Sequence, residues 1–362
     1  MTACLFTILI LAIMSDTISK VTILDIARAL NITAATVSRA LNNHPAIRES
    51  TKKIVKETAI KLNYQPNKIA SSLRLGKSNL IGVIIPSAEI NFFGSVVHGI
   101  EKIANENNYN VLIYQSNEMY EYEKKGVQAF LQSQVDGVLA SISKESMNLD
   151  HYSEIKKRGV PLILFDRASD ELGVSSVVVD DYAGAFAATK HLIEQGCRRI
   201  AHIGGQQHVN IFNQRLKGYI DALNTHRIPV DEDLIVYGKV SIESGRECMA
   251  KLLKNPKPPT GVFAVEDFTA LGAMQVIKAA GKSMPDEIAI VGFANEAFGE
   301  YLTPSLSSVN QQTVTMGEEA AKLFFEGLRN GDTYKDKPKK KILKPELIVR
   351  QSSTRIINNK MR

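Results

Sequence analysis

The chain has 362 residues, 44% of them hydrophobic and 23% charged, with a formal net charge of +6. That length allows two or three domains with ample core. The charge is concentrated, because residues 17–77 hold eleven Lys or Arg against three Asp or Glu and the remainder of the chain sums to −2. A basic N-terminal segment on a near-neutral body points to nucleic acid as a partner. The three cysteines (Cys4, Cys197, Cys248) are odd in number and lack metal-ligand spacing. They exclude a disulfide framework and fit a reducing cytoplasm.

In chain order, the apolar run CLFTILILAIM is too short to span a bilayer and lacks a basic flank. Translation from Met14 is the simpler reading, and residues 1–16 are set aside as an extension. Val21 to Asn43 predicts two short helices joined by a tight turn. Ile23, Ile26, Ala27 and Leu30 share one face. Thr33 is placed to cap the second helix, whose Val37, Ala40 and Leu41 point inward while Thr36, Ser38, Arg39 and Asn42 point outward. Small residues at its start, Ala34 and Ala35, permit close approach to a major groove, and an outward Arg can donate twice to a guanine edge. A helix pair in any bundle would show the same face. Ile47–Leu62 predicts a third helix with Ile54, Val55, Thr58, Ala59 and Leu62 inward and five basic residues along it. Pro66 stops it, and Asn67 can open a helix of about two turns before Gly76. So short a helix is marginal alone and should order only against a partner.

From Asn79 the pattern changes to apolar runs alternating with helical segments. Leu80–Ile85, Asn110–Tyr114, Asp136–Ala140 and Pro161–Phe165 form a first strand series. Ser176–Val179, Arg199–Ile203, Leu234–Tyr237, Gly261–Val265 and Ile288–Gly292 form a second. Strands alternating with helices imply parallel sheets covered on both faces, and two series imply two doubly wound α/β lobes. Another strand and a long helix follow Ser305, and Ile342–Arg350 reads as a last strand. The basic run Lys335–Lys344 reads as a solvated loop, and Asp231–Asp233 as a solvated turn. Gly204–Gly205 is weak evidence for a phosphate loop, and no catalytic set, metal set or cofactor motif can be assembled. Ligands in such folds sit beyond the carboxyl ends of strands. Phe92, Phe93, Gln115, Asp166, Arg167, Arg215, Asp267 and Asn295 occupy those positions, a mix of carboxylates, amides, arginine and aromatic faces suited to a polyhydroxyl or nucleoside-like ligand.

VTILDIARALNITAATVSRALNN, LNYQPNKIASSLR and NLIGVIIP resemble the headpiece and hinge of the lactose/galactose repressor family, and the similarity runs to about Arg355. The resemblance implies an all-α helix-turn-helix headpiece (17–66) and a hinge helix (67–77). It further implies an effector-binding and dimerisation region (78–362) of periplasmic-binding-protein type. The chain would cross between lobes near Phe165, Val309 and Lys340, giving an N-lobe of about 78–165 and 310–340 and a C-lobe of about 166–309 and 341–362. It implies a cytoplasmic homodimer binding a near-palindromic duplex through Thr22, Thr33, Ala34, Ala35, Thr36, Ser38, Arg39, Asn42 and Asn67. Leu73 would wedge open the central base step beside Arg74. It places Phe92, Phe93, Asp166, Arg215, Asp267 and Gln311 in an effector pocket. Structural readings stand beside these: Phe92 and Phe93 as core, Asp267 as an N-cap, Asp166 as support for a crossover, and Arg215 as an ion-pair partner. Many sugar-responsive members have an aspartate pair where this chain has Ala294–Asn295, so a carboxylate is missing or is supplied by Glu296. The tail SSTRIINNKMR is short and polar, which favours a dimer. The rival readings are an exported sugar-binding protein of the same two-lobed fold and a cleft enzyme.

Overall fold

The computed structural model describes residues 21–65, 77–331, 334 and 337–355. The extension, hinge positions 67–76 with Asn67, Leu73 and Arg74, and the tail beyond Arg355 lie outside the described residues. The chain divides into two compact units between Ser78 and Asn79.

Among the described residues the first unit holds three helices, α1 (Ile23–Leu30), α2 (Ala34–Leu41) and α3 (Glu49–Lys61). Asp25 opens α1 by accepting from the Thr22 backbone N–H at 2.8 Å and its hydroxyl at 2.7 Å. Asn31 ends it in the left-handed region. Ile26, Ala27, Val37, Ala40, Val55 and Ala59 form the buried core. On α3 the inward face runs through Lys52, Val55 and Ala59, not through Ile54, which is 50% exposed. Spacings of three and four keep Lys52, Val55 and Ala59 on one stripe, and Ile54 falls a full helical step to the side. The Lys52 stem packs inward while its ammonium reaches Glu49 at 2.6 Å.

The second unit contains two six-stranded sheets of matching order. Along the chain run β1 (Leu80–Ile85), α4 (Asn91–Glu106), β2 (Asn110–Gln115), α5 (Tyr120–Gln132), β3 (Gly137–Ala140), α6 (Asp150–Lys157), β4 (Leu162–Phe165) and β5 (Ser175–Val179). There follow α7 (Asp181–Glu194), β6 (Ile200–Gly204), α8 (Asn210–Thr225), β7 (Ile235–Tyr237), α9 (Ile242–Leu253), β8 (Gly261–Ala264), α10 (Asp267–Ala279) and β9 (Ala289–Ala294). The last elements are β10 (Ser307–Asn310), α11 (Thr313–Asn330), β11 (Lys340–Leu343) and β12 (Glu346–Ile348). The first sheet is ordered β11-β5-β4-β3-β1-β2, the second β12-β10-β9-β8-β6-β7. Among the described residues all pairings are parallel except β10 with β12. Central strands are buried on both faces, as continuous runs such as LILF and GVFA require.

Three expectations are corrected here. The strand near Ser176 belongs to the first sheet, so the chain leaves that lobe after Val179 rather than at Phe165. The segment after Ile342 is two strands: β11 stays with the first sheet and β12 joins the second, so the last crossing lies at Lys344–Pro345 rather than Lys340. The C-terminal half of the basic run is therefore an edge strand, not a loop. Lys340 and Lys341 of the strand pair with Asp170 and Glu319, and Lys339 just before it pairs with Glu326. Charged side chains on an edge strand discourage further strand addition. The middle crossing falls between Asn310 and Thr313, close to the expected Val309. Gln312 ties it to the last one by donating to the Lys344 carbonyl at 2.6 Å.

Candidate functional site

The headpiece presents α2 as its exposed polar element. The Thr33 hydroxyl accepts from the Thr36 N–H at 3.2 Å and lies 2.9 Å from the Thr36 hydroxyl. The cap therefore occupies one of the side chains expected to read bases. Asn42 folds back onto the Ser38 carbonyl at 2.8 Å. Arg39 and Ala35 are exposed, Thr36 and Ser38 half-buried, and Ala34 partly covered. Arg39 thus carries the extended donor set on this face. Lys56 donates to Asn43 at 2.8 Å and fixes the turn after α2 against α3, whose Lys53 and Lys61 face solvent with Arg48 at its N-cap. The α2 side thus combines small residues, one long bidentate donor and flanking cations, the combination that phosphate and base-edge contacts need.

In the second unit a cleft opens between the sheets at the carboxyl ends of their strands. It has a chamber of about 460 Å³ and a neighbouring one of about 750 Å³, with Lys144, Asp166, Arg167 and Ile211 lining both. Arg215 is central to the smaller chamber. Gly218 makes that possible: a Cβ there would lie 2.4 Å from the Tyr182 carbonyl, so only glycine lets α7 and α8 approach this closely. The approach sets Arg215 beside Asp181, the first residue of α7. Its Nε donates to Asp181 Oδ1 at 2.8 Å, and one terminal nitrogen lies 2.7 Å from the same oxygen. The other terminal nitrogen donates to the Val265 carbonyl at 2.7 Å, and a longer bond reaches Gln311 at 3.3 Å. The guanidinium lies 3.7 Å from the centre of the Phe293 ring. One side chain thus joins the β5–α7 crossing, the end of β8 and the β10–α11 crossing.

Asp166, in the left-handed region, accepts from the Ser141 hydroxyl at 3.2 Å. Arg167 pairs with Glu118 at 2.7 Å, and Lys144 approaches the same carboxylate at 3.3 Å. Across the cleft Glu296, after β9, accepts from the Phe92 N–H at 3.1 Å, the start of α4. A second tie between lobes runs from His208 to the Lys144 carbonyl at 2.8 Å. Burial raises several carboxyl groups here. Asp181 is pushed up to about 6, burial outweighing its arginine, and Glu266 to about 8. Burial also raises Asp166 and Glu296.

Of the sequence candidates, Phe92, Phe93, Asp166, Arg167, Arg215 and Gln311 line the smaller chamber. Three do not. Gln115 accepts from the Ala88 N–H at 3.0 Å and pairs with Asn117, which consumes its amide in a turn. Asn295 accepts from Arg350 at 2.9 Å while its N–H bonds the Ser308 hydroxyl. Asp267 sits behind the wall, fully buried, accepting from the Ser308 hydroxyl and the Glu296 N–H at 2.7 Å each. A Cβ on Gly292 would lie 2.0 Å from its carboxylate, so that glycine makes room for it. Burial still lifts Asp267 to about 6. The N-cap of α10 is Glu266, accepting from the Phe268 and Thr269 N–H groups. Glu266, Lys144, Phe212 and Phe268 line the chamber without having been singled out. The adjacent acids of VED carried a signal, but one residue of register decides which of them caps and which packs.

Residues 22–67 match the model for "Bacterial regulatory proteins, lacI family", and residues 189–353 that for a periplasmic binding protein-like domain. Among curated relatives, the "Probable HTH-type transcriptional repressor ExuR" of Bacillus subtilis (strain 168) is 33% identical over 93% of this chain and 99% of its own length. Catabolite control protein A of Priestia megaterium is 34% identical over 84% of this chain and 92% of its own. Among solved structures, the "transcriptional regulator CelR-cellobiose complex" superposes with a TM-score of 0.70 at 28% identity, covering 92% of this chain and 99% of that one. With three helices presenting a capped polar helix, two matching sheets around a cleft, and this likeness over nearly its whole length, the chain belongs to the lacI family of bacterial regulatory proteins, DNA-binding regulators of transcription.

Proposed function

We propose that this regulator is a cytoplasmic repressor. It binds a near-palindromic duplex as a homodimer and is controlled by a small polyhydroxyl effector (a sugar, sugar derivative or nucleoside) in the smaller chamber. The observation that carries the effector reading is the Arg215 network, which holds two of the three lobe crossings at the chamber wall. A ligand that rearranges Arg215, Gln311 or the Glu296–Phe92 tie changes the relation of the lobes, and its differential affinity for the two arrangements supplies the coupling to DNA. The names of the relatives support repression, and the cellobiose complex supports a sugar-like ligand. Two subunits related by a two-fold axis would read two half-sites, with Thr22, Ala34, Ala35, Ser38 and Arg39 at the groove. Leu73 of each subunit would enter the minor groove at the centre, beside Arg74 and Asn67. Export of a sugar-binding protein is not favoured, because residues 22–67 match the DNA-binding family model. No helix among the described residues is long and apolar enough to cross a membrane. The experiment is thermal unfolding of the full chain with a panel of sugars and nucleosides, followed by operator binding with each ligand that stabilises it. A stabilising ligand that shifts operator affinity bears the reading out; stabilising ligands that leave it unchanged contradict it.

A further inference from the structure

The uncompensated charge in the smaller chamber is negative. Its three cations are each held by a carboxylate of the same lobe: Lys144 and Arg167 by Glu118, Arg215 by Asp181. Five acids line the same chamber, Glu89, Asp166, Glu243, Glu266 and Glu296, of which Asp166 lies 3.8 Å from Arg167. Glu89 is exposed, and Glu243 faces Arg246 at 3.7 Å on the outside. Among the described residues Glu266 accepts only from backbone N–H groups of α10. Glu296 is 3% exposed; one oxygen takes the Phe92 N–H and the other has no partner among the described residues. Aromatic rings complete the wall: Phe92, Phe93, Phe212 and Phe268. Two already seat cations, Arg167 over Phe93 at 5.7 Å and Arg215 over Phe212 at 5.9 Å.

Resting on the effector reading above, we propose that the ligand is a hydroxylated amine whose ammonium group sits at Glu296, beside Glu266 and the Phe92 and Phe268 rings. A neutral hydroxyl satisfies the open oxygen but leaves the charge unmatched. An acidic sugar adds like charge to a chamber whose cations are already paired. An ammonium donates to Glu296, favours the charged form of Glu266 and gains from the ring faces. Burial first, then Asp267 and Glu296, pushes Glu266 up to about 8, and a cation bound beside it would lower that value.

The test uses the full chain and ring-matched trios: glucosamine, glucose and glucuronate, with the galacto and manno equivalents, each titrated by calorimetry at neutral pH. In at least one trio the amine should bind about tenfold or more tightly than both its neutral and acidic counterparts, the worth of one partly buried charge-assisted bond. Glu296→Gln should erase that preference in the same trio. A neutral or acidic member preferred, equal binding within every trio, or no binding by any amine overturns the proposal. A neutral or acidic sugar that binds and shifts operator affinity would sink the amine while leaving the effector reading intact. Sugars of every charge that bind without touching operator affinity would sink the effector reading itself.

Discussion

Replacing Arg215 by methionine keeps a long flexible side chain against Phe293 but deletes every donor. Arg215 is 2% exposed and Asp181 6%, so the variant leaves a buried carboxylate without its cation. The carbonyl of Val265 and the Gln311 amide oxygen also lose a donor. Breaking a buried pair from one side costs about 3–5 kcal/mol. At about 2–4 °C per kcal/mol for a unit this large, the melting temperature of the effector-binding unit should fall by roughly 6–20 °C. The chain has no tryptophan, so calorimetry or far-ultraviolet dichroism is the natural readout. Asp181 already titrates near 6, burial having raised it above the usual carboxylate value. Without Arg215 it should rise further. A carboxyl raised on folding contributes stability below its unfolded value and loses it as pH rises through the folded one. The deficit of Arg215→Met should therefore be largest above neutrality and shrink as pH falls through 6. Adding Asp181→Asn should restore much of the loss, because no charge then remains buried. A single variant melting within about 2 °C of the parent, or a double variant no better than the single, would refute this reasoning.

Other outcomes are expected. Gly218→Ala should cost about 1–3 kcal/mol, because its Cβ meets the Tyr182 carbonyl and pushes α8 off α7; an unchanged melting temperature would show that the helices can slide apart freely. Thr33→Ala should destabilise the headpiece by about 1 kcal/mol through loss of the α2 cap, read by its own unfolding transition. Arg39→Ala should cost about 1–3 kcal/mol on a selected operator and far less on random duplex; equal losses on both would make Arg39 a phosphate contact only. His202 is fully buried and held neutral, burial pushing it down to about 4, with Nδ1 on the Phe263 carbonyl at 3.1 Å. The unfolded chain takes up that proton first, so stability should be full above about 6.5 and fall by up to about 3 kcal/mol as pH drops through 4. His202→Phe should flatten that slope, and an unaltered pH profile would rule out His202 as its source.

The strand-rich runs were legible because buried parallel strands read as continuous apolar segments, and Leu80–Ile85 emerges with the expected bounds. Lobe membership was less legible. β5 follows β4 after only a 3-10 turn (Asp170–Leu172), not the α-helix that precedes β2, β3 and β4, and its apolar run alone does not say that it pairs with the first sheet before the chain crosses. The single run Ile342–Arg350 hid a crossing for the same reason. Ile54 misled because apolar type was given more weight than helical phase, whereas the stem of Lys52 fills the inward position. At the cleft, Arg215 and the phenylalanines were readable from type and position. Gln115, Asn295 and Asp267 were not separable from lining residues, since each lies at a strand end or helix start and is turned aside only by partners such as Asn117, Arg350 and Ser308.

Selection of operator from random duplex DNA by the full chain, at fixed salt and with and without the amine and sugar panel, tests sequence-specific repression most directly. Salt must be held constant because phosphate contacts make affinity fall steeply with ionic strength. The expected result is a two-fold symmetric site with a flexible central step, whose affinity changes when a ligand of the panel is added. Enrichment of no sequence, or of an asymmetric site bound by a single headpiece, would contradict dimeric repression by this chain.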